Sequence, residues 1–301
     1  MSRPNELLST LEAGLERALF VVATARERDY EPDQEAVRVF KEAAMRRSES
    51  GDRYERAAVM IVGEGGYPAF AEGVARALGA FWTGFDLVLP SRTRGTASLL
   101  CLKAERILCH PWASVGAYDA GPVLDNPGRL IPSIWDDVPA MGGIEISGSL
   151  PGQLARHRHF CRLSRSLAQR WGEQMAEIRG HESAKPILNG LSQFELGTSL
   201  GLDWKELSAL GLHSENLSGE LARTAWQLYR TYESDLGLMR TPAPRYSPSD
   251  IADEVEFEAA EYLVAGIIET CEDDFLFQVD TGRPHPDTGT LQGEWTLEKA
   301  R

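Results

Sequence analysis

Residues 58–109 carry the feature that most narrows the fold. Ala58-Val-Met-Ile-Val62 is a short, continuously apolar run ending in Gly63-Glu-Gly-Gly66. A run of this length, bounded by glycines and without alternation, reads as a strand buried on both faces, as in a parallel sheet. Phe70, Val74, Leu78 and Phe81 then recur at helical spacing. Phe85-Asp-Leu-Val-Leu89, closed by Pro90, reads as a second strand, Thr96 to Lys103 as a helix, and Arg106-Ile-Leu-Cys109 as a third strand. Strand, glycine turn, helix, strand, helix, strand is the order of βαβ crossovers. The chain is therefore expected to be an α/β protein with a mostly parallel sheet.

The flanks are read from periodicity. Leu8, Leu11, Leu15, Leu19 and Val22 step by three or four, which predicts one amphipathic helix over 5–25. A second helix is expected over about 34–46, followed by a polar connection at Gly51. From Pro122 to Pro151 the chain is rich in Pro and Gly without clear period, the composition of a lid or partner-binding loop. Phe160, Leu163, Leu167, Trp171, Met175 and Ile178 predict a long helix over 153–179, and shorter ones are expected near 203–210 and 218–234. Pro242, Pro244 and Pro248 mark a linker, after which Phe275-Leu-Phe277 and the stretch to Trp295 alternate like β structure. The expected organisation is an N-terminal helical arm (1–54), an α/β core (55–150), a helical extension (151–240) and a small acidic, β-rich tail (241–301). Residues 251–280 hold ten acidic side chains and no basic one, which reads as a solvated acidic face.

Composition removes several function classes. The 301 residues include 31 Lys+Arg against 45 Asp+Glu, a formal charge of −14 with no cationic block, so no nucleic-acid partner is expected. No run of some 18 apolar residues is available for a membrane span. The opening segment, carrying Glu12, Glu16 and Arg17, does not read as a signal peptide. Cys101, Cys109, Cys161 and Cys271 are scattered, which argues against a disulfide framework or zinc knuckle and fits a cytoplasmic location. His157 and His159 lie two apart on a helix, about 200° round its axis, and cannot share a metal, so no metal and no cofactor is expected. The histidines read as surface or satisfied groups, and Trp171, Trp226, Tyr229 and Tyr232 as core.

The glycine turn invites two chemical readings. Gly63-Glu-Gly-Gly66 matches half of a dinucleotide fingerprint, but the sixth position, where close helix packing needs glycine, is Pro68. Gly65 and Gly66 can instead bring backbone N–H groups up to a substrate carbonyl, as in an oxyanion hole, or simply form a tight turn.

Three stretches carry a family resemblance. Val59-Met-Ile-Val-Gly-Glu-Gly-Gly66 and its following helix are similar to a strand, Thr-Pro-Gly-Gly turn and helix. Leu89-Pro-Ser-Arg-Thr-Arg-Gly-Thr-Ala-Ser-Leu99 is similar to a nucleophile segment with a Ser-(Ala/Gly)-Gly-Thr core. Ser114-Val-Gly-Ala-Tyr-Asp-Ala-Gly-Pro122 is similar to a Leu-Gly-Pro-Ile-Asp-Pro turn. In order and spacing these resemble the serine dehydrogenase proteinase family, relatives of signal peptide peptidase A within the Clp protease/crotonase superfold. Weaker likeness at Ala209–Leu212 and Ala265–Trp295 extends it over most of residues 55–295. The resemblance implies a Clp/crotonase-like ββα core and assembly into a homo-oligomer, or a mixed ring with a related subunit.

The chemistry departs from that pattern. The resemblance places the nucleophilic serine at Gly95, which has no side chain to attack a carbonyl. It places the general base near Tyr118, whose ordinary pKa near 10 suits it poorly to that task. Arg92 and Arg94 stand where the family keeps small or apolar residues, and Ala97 replaces a glycine. Gly65, Gly66, Arg94 and Thr96 are the expected oxyanion and peptide-groove residues. The expected function is therefore a pseudoprotease: a protease-like scaffold or a module binding a peptide or protein, with the arginines favouring an acidic or carboxylate-bearing partner. The alternatives are an active hydrolase using Ser98 or Thr96, with Lys103 or Lys185 as a conceivable partner amine, and acyl-CoA chemistry with Glu64 and Glu72.

Overall fold

The computed structural model describes residues 5–24, 34–51, 54–63, 68–118, 150–179, 181–192, 201–236, 262–284 and 291–299. In chain order the elements are α1 (Asn5–Leu15), β1 (Ala18–Thr24), α2 (Gln34–Glu49), β2 (Ala57–Val62), α3 (Pro68–Phe81), β3 (Phe85–Leu89), α4 (Thr96–Leu100) and β4 (Arg106–Cys109). After these come α5 (Leu150–Arg179), α6 (His181–Gly190), α7 (Trp204–Ala209), β5 (Ser214–Asn216) and α8 (Gly219–Asp235). The last are β6 (Tyr262–Glu269), β7 (Asp273–Pro284) and β8 (Leu291–Lys299).

All eight strands form one mixed sheet in the order β5-β4-β3-β2-β1-β6-β7-β8. β1 to β5 are parallel neighbours, whereas β6 joins β1 antiparallel and β7 and β8 continue that half. Because β1 to β5 advance in one direction, right-handed crossovers put every connecting helix on the same face. Phe20, Val59, Ile61, Leu87 and Leu89 meet that layer of α2 to α7. Leu19, Val21, Met60, Val88 and Leu108 face the other way, onto α1 and α8. Both faces of the parallel half are thus covered, which explains why β2 reads as an unbroken apolar run and β3 as one broken only by Asp86. The expected α/β class and mostly parallel core are present, and the tail strands extend the same sheet.

Three expectations need correction. The single helix over 5–25 is a helix and a strand: α1 ends at Leu15, and Glu16 turns the chain at φ 55°. Leu19 and Val22 belong to β1, whose seven residues are all buried. Their spacing from Leu15 mimics a helix, but a helix would bury one face of that run and leave the other in water. Phe81, placed on the buried stripe of α3, is exposed at the helix end. The acidic tail is not simply a solvated face, since Glu269 and Asp274 are buried opposite one another in the β6–β7 ladder. Residues 253–261 of that acidic stretch lie outside the described residues.

Buried charge concentrates where elements join. Glu12 of α1 accepts the Leu19 backbone N–H at 3.0 Å and Arg47 Nη2 at 2.9 Å, and Arg47 Nη1 reaches Glu272 at 2.6 Å. This ties α1, α2 and the β6–β7 turn together. Tyr232 of α8 donates to Glu269, tying the opposite layer to the antiparallel half. Asp86, fully buried at the start of β3, accepts from Arg17 Nε at 3.2 Å and Arg106 Nη2 at 2.5 Å.

Candidate functional site

In open α/β sheets, ligands sit beyond the carboxyl ends of the parallel strands. Here the ends of β3 and β4 are stitched together by backbone. Thr93 N–H donates to the Ser114 carbonyl at 2.8 Å, and Gly116 N–H to the Thr93 carbonyl at 2.7 Å. Gly95 N–H donates to the Ala117 carbonyl at 3.0 Å. Val115 also exchanges two backbone bonds with Leu202, at 2.9 and 2.8 Å, and Tyr118 N–H donates to the Leu191 carbonyl at 3.0 Å. The segments 93–95 and 114–118 are thereby held side by side. The two positions singled out by resemblance, Gly95 and Tyr118, are brought to one place.

Gly95 is the N-cap of α4, six residues after β3 ends, at φ 64° and ψ −121°. L residues rarely occupy that conformation. Glycine adopts it freely and supplies no reactive atom. Tyr118 is buried among the side chains of the α2–α7 layer. Ser98 is 0% exposed, and its hydroxyl donates to the Gly116 carbonyl at 2.6 Å. That proton is committed to the backbone, and no water-accessible surface remains on the residue.

The other expected groups are placed as follows. Arg92 is exposed and Arg94 half-exposed, and Thr93 between them is buried. Thr96 opens α4, but its side chain, like Glu64, Gly65 and Gly66, lies outside the described residues. The Pro/Gly-rich connection 122–149 does so as well. Lys103 bonds Gln174 at 2.5 Å and lies over the Trp171 ring, and Lys185 is exposed. Burial, followed by the Arg170 charge, lowers the Lys103 pKa. Glu72 is held by Arg76 at 2.7 Å and Arg170 at 3.1 Å. Burial raises the Cys101 thiol well above its usual range and pushes Cys109 up to about 12, so both stay protonated and unreactive at neutral pH. Among the described residues no group of three or more His, Cys, Asp or Glu side chains is placed to hold a metal ion.

A cluster that the sequence did not announce lies beside this turn. His110, directly after β4, is buried and stacks on Trp226 of α8, with centroids 5.0 Å apart and an interplanar angle of 19°. Trp112 meets both rings edge-on, at 5.1 and 5.0 Å, and its backbone N–H donates to His110 Nδ1 at 3.3 Å. Tyr229 stacks on the far side of Trp226 at 5.0 Å and hydrogen-bonds Ser91 and Glu233. Burial lowers the His110 pKa, and burial together with Glu233 pushes Tyr229 up to about 12. Trp226 and Tyr229, expected as core, are only half-buried. Their i, i+3 spacing was legible, but their partners 114 or more positions away were not.

No known family model matches this sequence, and no curated protein matches it. Among solved structures the chain is similar to a ClpP1 mutant from Listeria monocytogenes. That match has 11% identity, covers 70% of this chain and 98% of the other, and has a TM-score of 0.39. It is also similar to a mutant of the membrane-bound stomatin-specific protease 1510-N in complex with a substrate peptide. There the identity is 12%, the coverage 66% and 94%, and the TM-score 0.30.

Proposed function

We propose that this chain is a catalytically degenerate, serine-protease-like protein that acts as a scaffold or peptide-binding module. The observation that carries the reading is the N-cap of α4, where a conformation that L residues rarely adopt is held by Gly95, which has no side chain. The hydroxyl of Ser98, three residues on, points inward to the Gly116 carbonyl. For Ser98 to attack a substrate it would have to break that bond and come to the surface, and neither Lys103 nor Lys185 is placed to activate it. Tyr118 at the base position is sequestered among apolar side chains. The same reading has an extended peptide bind between the stretch after Gly66 and α4 by strand addition, with Arg92 and Arg94 at the mouth of the site. Assembly as a homo-oligomer, or in a ring with an active relative that supplies the missing serine, belongs to the same reading, as does a cytoplasmic location.

The acyl-CoA alternative has less support, because Glu72 is engaged by two arginines instead of being free to shuttle protons. The deciding test is mass-spectrometric turnover of an unbiased peptide mixture by the native protein, Gly95→Ser and Ser98→Ala. The expected result is silence from the native protein, and cleavage gained by Gly95→Ser would show that the groove has been kept. Cleavage by the native protein that Ser98→Ala abolishes overturns the proposal.

A further inference from the structure

The aromatic cluster at the end of β4 does something the degenerate turn does not: it presents a large ring to solvent in a fixed orientation. Trp112 is 70% exposed, the most exposed large hydrophobic among the described residues. Loose exposed tryptophans are common, but this one is braced on two sides by His110 and Trp226 and anchored by its own backbone N–H. A tryptophan already ordered before binding loses little side-chain entropy when a partner covers it, which is the property of an interface hot spot.

Two arginines of α8 stand beside the platform. On α8, Arg223 lies three residues before Trp226 and Arg230 four after it, so both flank the indole on the helix surface. Arg223 is exposed, with no carboxylate at salt-bridge distance among the described residues. Arg230 bonds Glu233 at 3.1 Å but is 63% exposed, leaving most of its guanidinium donors turned to water. Glu233 is itself buried and engaged by Arg230 and Tyr229, and Glu220, three residues before Arg223, is exposed. In a chain of net charge −14, screening over about 8 Å at physiological salt lets the two arginines act locally.

We infer that the Trp112–Trp226–Tyr229 platform, flanked by Arg223 and Arg230, docks an acidic peptide segment carrying an aromatic or long aliphatic anchor. The anchor packs on Trp112, and the flanking carboxylates take the guanidinium groups as charge-assisted hydrogen bonds. The surface lies on the α8 side of the sheet, whereas Gly95 leads into α4 on the opposite side. It therefore goes beyond the pseudoprotease reading and stands or falls separately from it.

The test is fluorescence anisotropy with a labelled heptapeptide of six carboxylates around one phenylalanine, on the full chain. Two control peptides replace the phenylalanine by alanine or the carboxylates by lysines. The expected result is saturable binding that weakens with salt, falls about tenfold or more in Trp112→Ala and in Arg223→Glu, and is lost with either control peptide. Both variants change exposed side chains, and circular dichroism checks their fold. No binding by the native protein, equal binding of the lysine peptide, or unchanged affinity in Trp112→Ala overturns the inference. So does a concentration-dependent self-association that Trp112→Ala abolishes, which would assign the platform to a second copy of the chain. Peptide turnover by the native protein would overturn the pseudoprotease reading and leave this binding result untouched.

Discussion

Two buried polar regions of the molecule are built from opposite materials. At the carboxyl ends of β3 and β4, the segments 93–98 and 114–118 satisfy one another through neutral backbone bonds and one serine hydroxyl. At the seam between α1, α2 and the β6–β7 turn, the bonds are ionic and run Leu19–Glu12–Arg47–Glu272. The first region is held by backbone groups and a buried hydroxyl, whereas the second holds the buried Glu12 and Arg47 with Glu272 at its exposed edge. Among the described residues, buried charge is concentrated at the joins between elements.

The largest effect should come from breaking the charged seam. Arg47→Met leaves Glu12 buried without its cation and is expected to cost about 3–4 kcal/mol, read as a lower denaturant midpoint. Removing both partners sharpens the point. Glu12→Leu with Arg47→Met should recover much of that loss, because two apolar groups need no compensation. If the single and double variants are equally unstable, the seam is held by packing and the contrast fails.

At the neutral turn the expected effects are smaller. Gly95→Ser forces an L side chain into φ 64°, ψ −121° and should cost about 1–3 kcal/mol in the same assay. An unchanged midpoint would mean that the turn relaxes. Ser98→Ala removes the donor to a buried carbonyl and should cost about 1 kcal/mol. A much larger loss would show that the turn is as interdependent as the ionic seam.

The smallest effect is pH-dependent and concerns His110. Burial favours the neutral ring, so its folded pKa lies below the ordinary value of about 6.5. The unfolded chain then binds the proton more readily. The stability conferred by the neutral ring is complete above about pH 6.5 and is lost as pH falls below it toward the lowered folded value. Melting temperatures between pH 8 and 5 should fall more steeply for the native protein than for His110→Phe. Parallel curves would show that the ring keeps an ordinary titration in the fold.

How much of this was readable in advance varied by element. β2 was legible because a strand buried on both faces must be continuously apolar, and β3 and β4 because they are largely apolar and bounded by turn residues. α3 and α5 were legible because a mostly buried stripe imposes a 3.6-residue period, although Phe81 and Leu163 on those stripes are exposed. β1 was hidden by a local coincidence, since Leu15, Leu19 and Val22 fit a helix as well as they fit a helix, a turn and a strand. Gly95 and Tyr118 could be paired only through the family resemblance. The backbone bond from Gly95 to Ala117 is what joins their segments. The aromatic platform had no sequence signal, because His110 and Trp226 meet only after β4 and α8 have packed against the same end of the sheet.

The sequence by itself determined the class of structure and the crossovers. Each of these depends on what single residues are, or on periods within one element. Tertiary structure decided which polar groups were buried together, that the tail would extend the main sheet, and that an exposed tryptophan would stand braced beside arginines. Those outcomes depend on contacts between residues far apart in the chain, and local periodicity carries no information about which distant partner a side chain will meet.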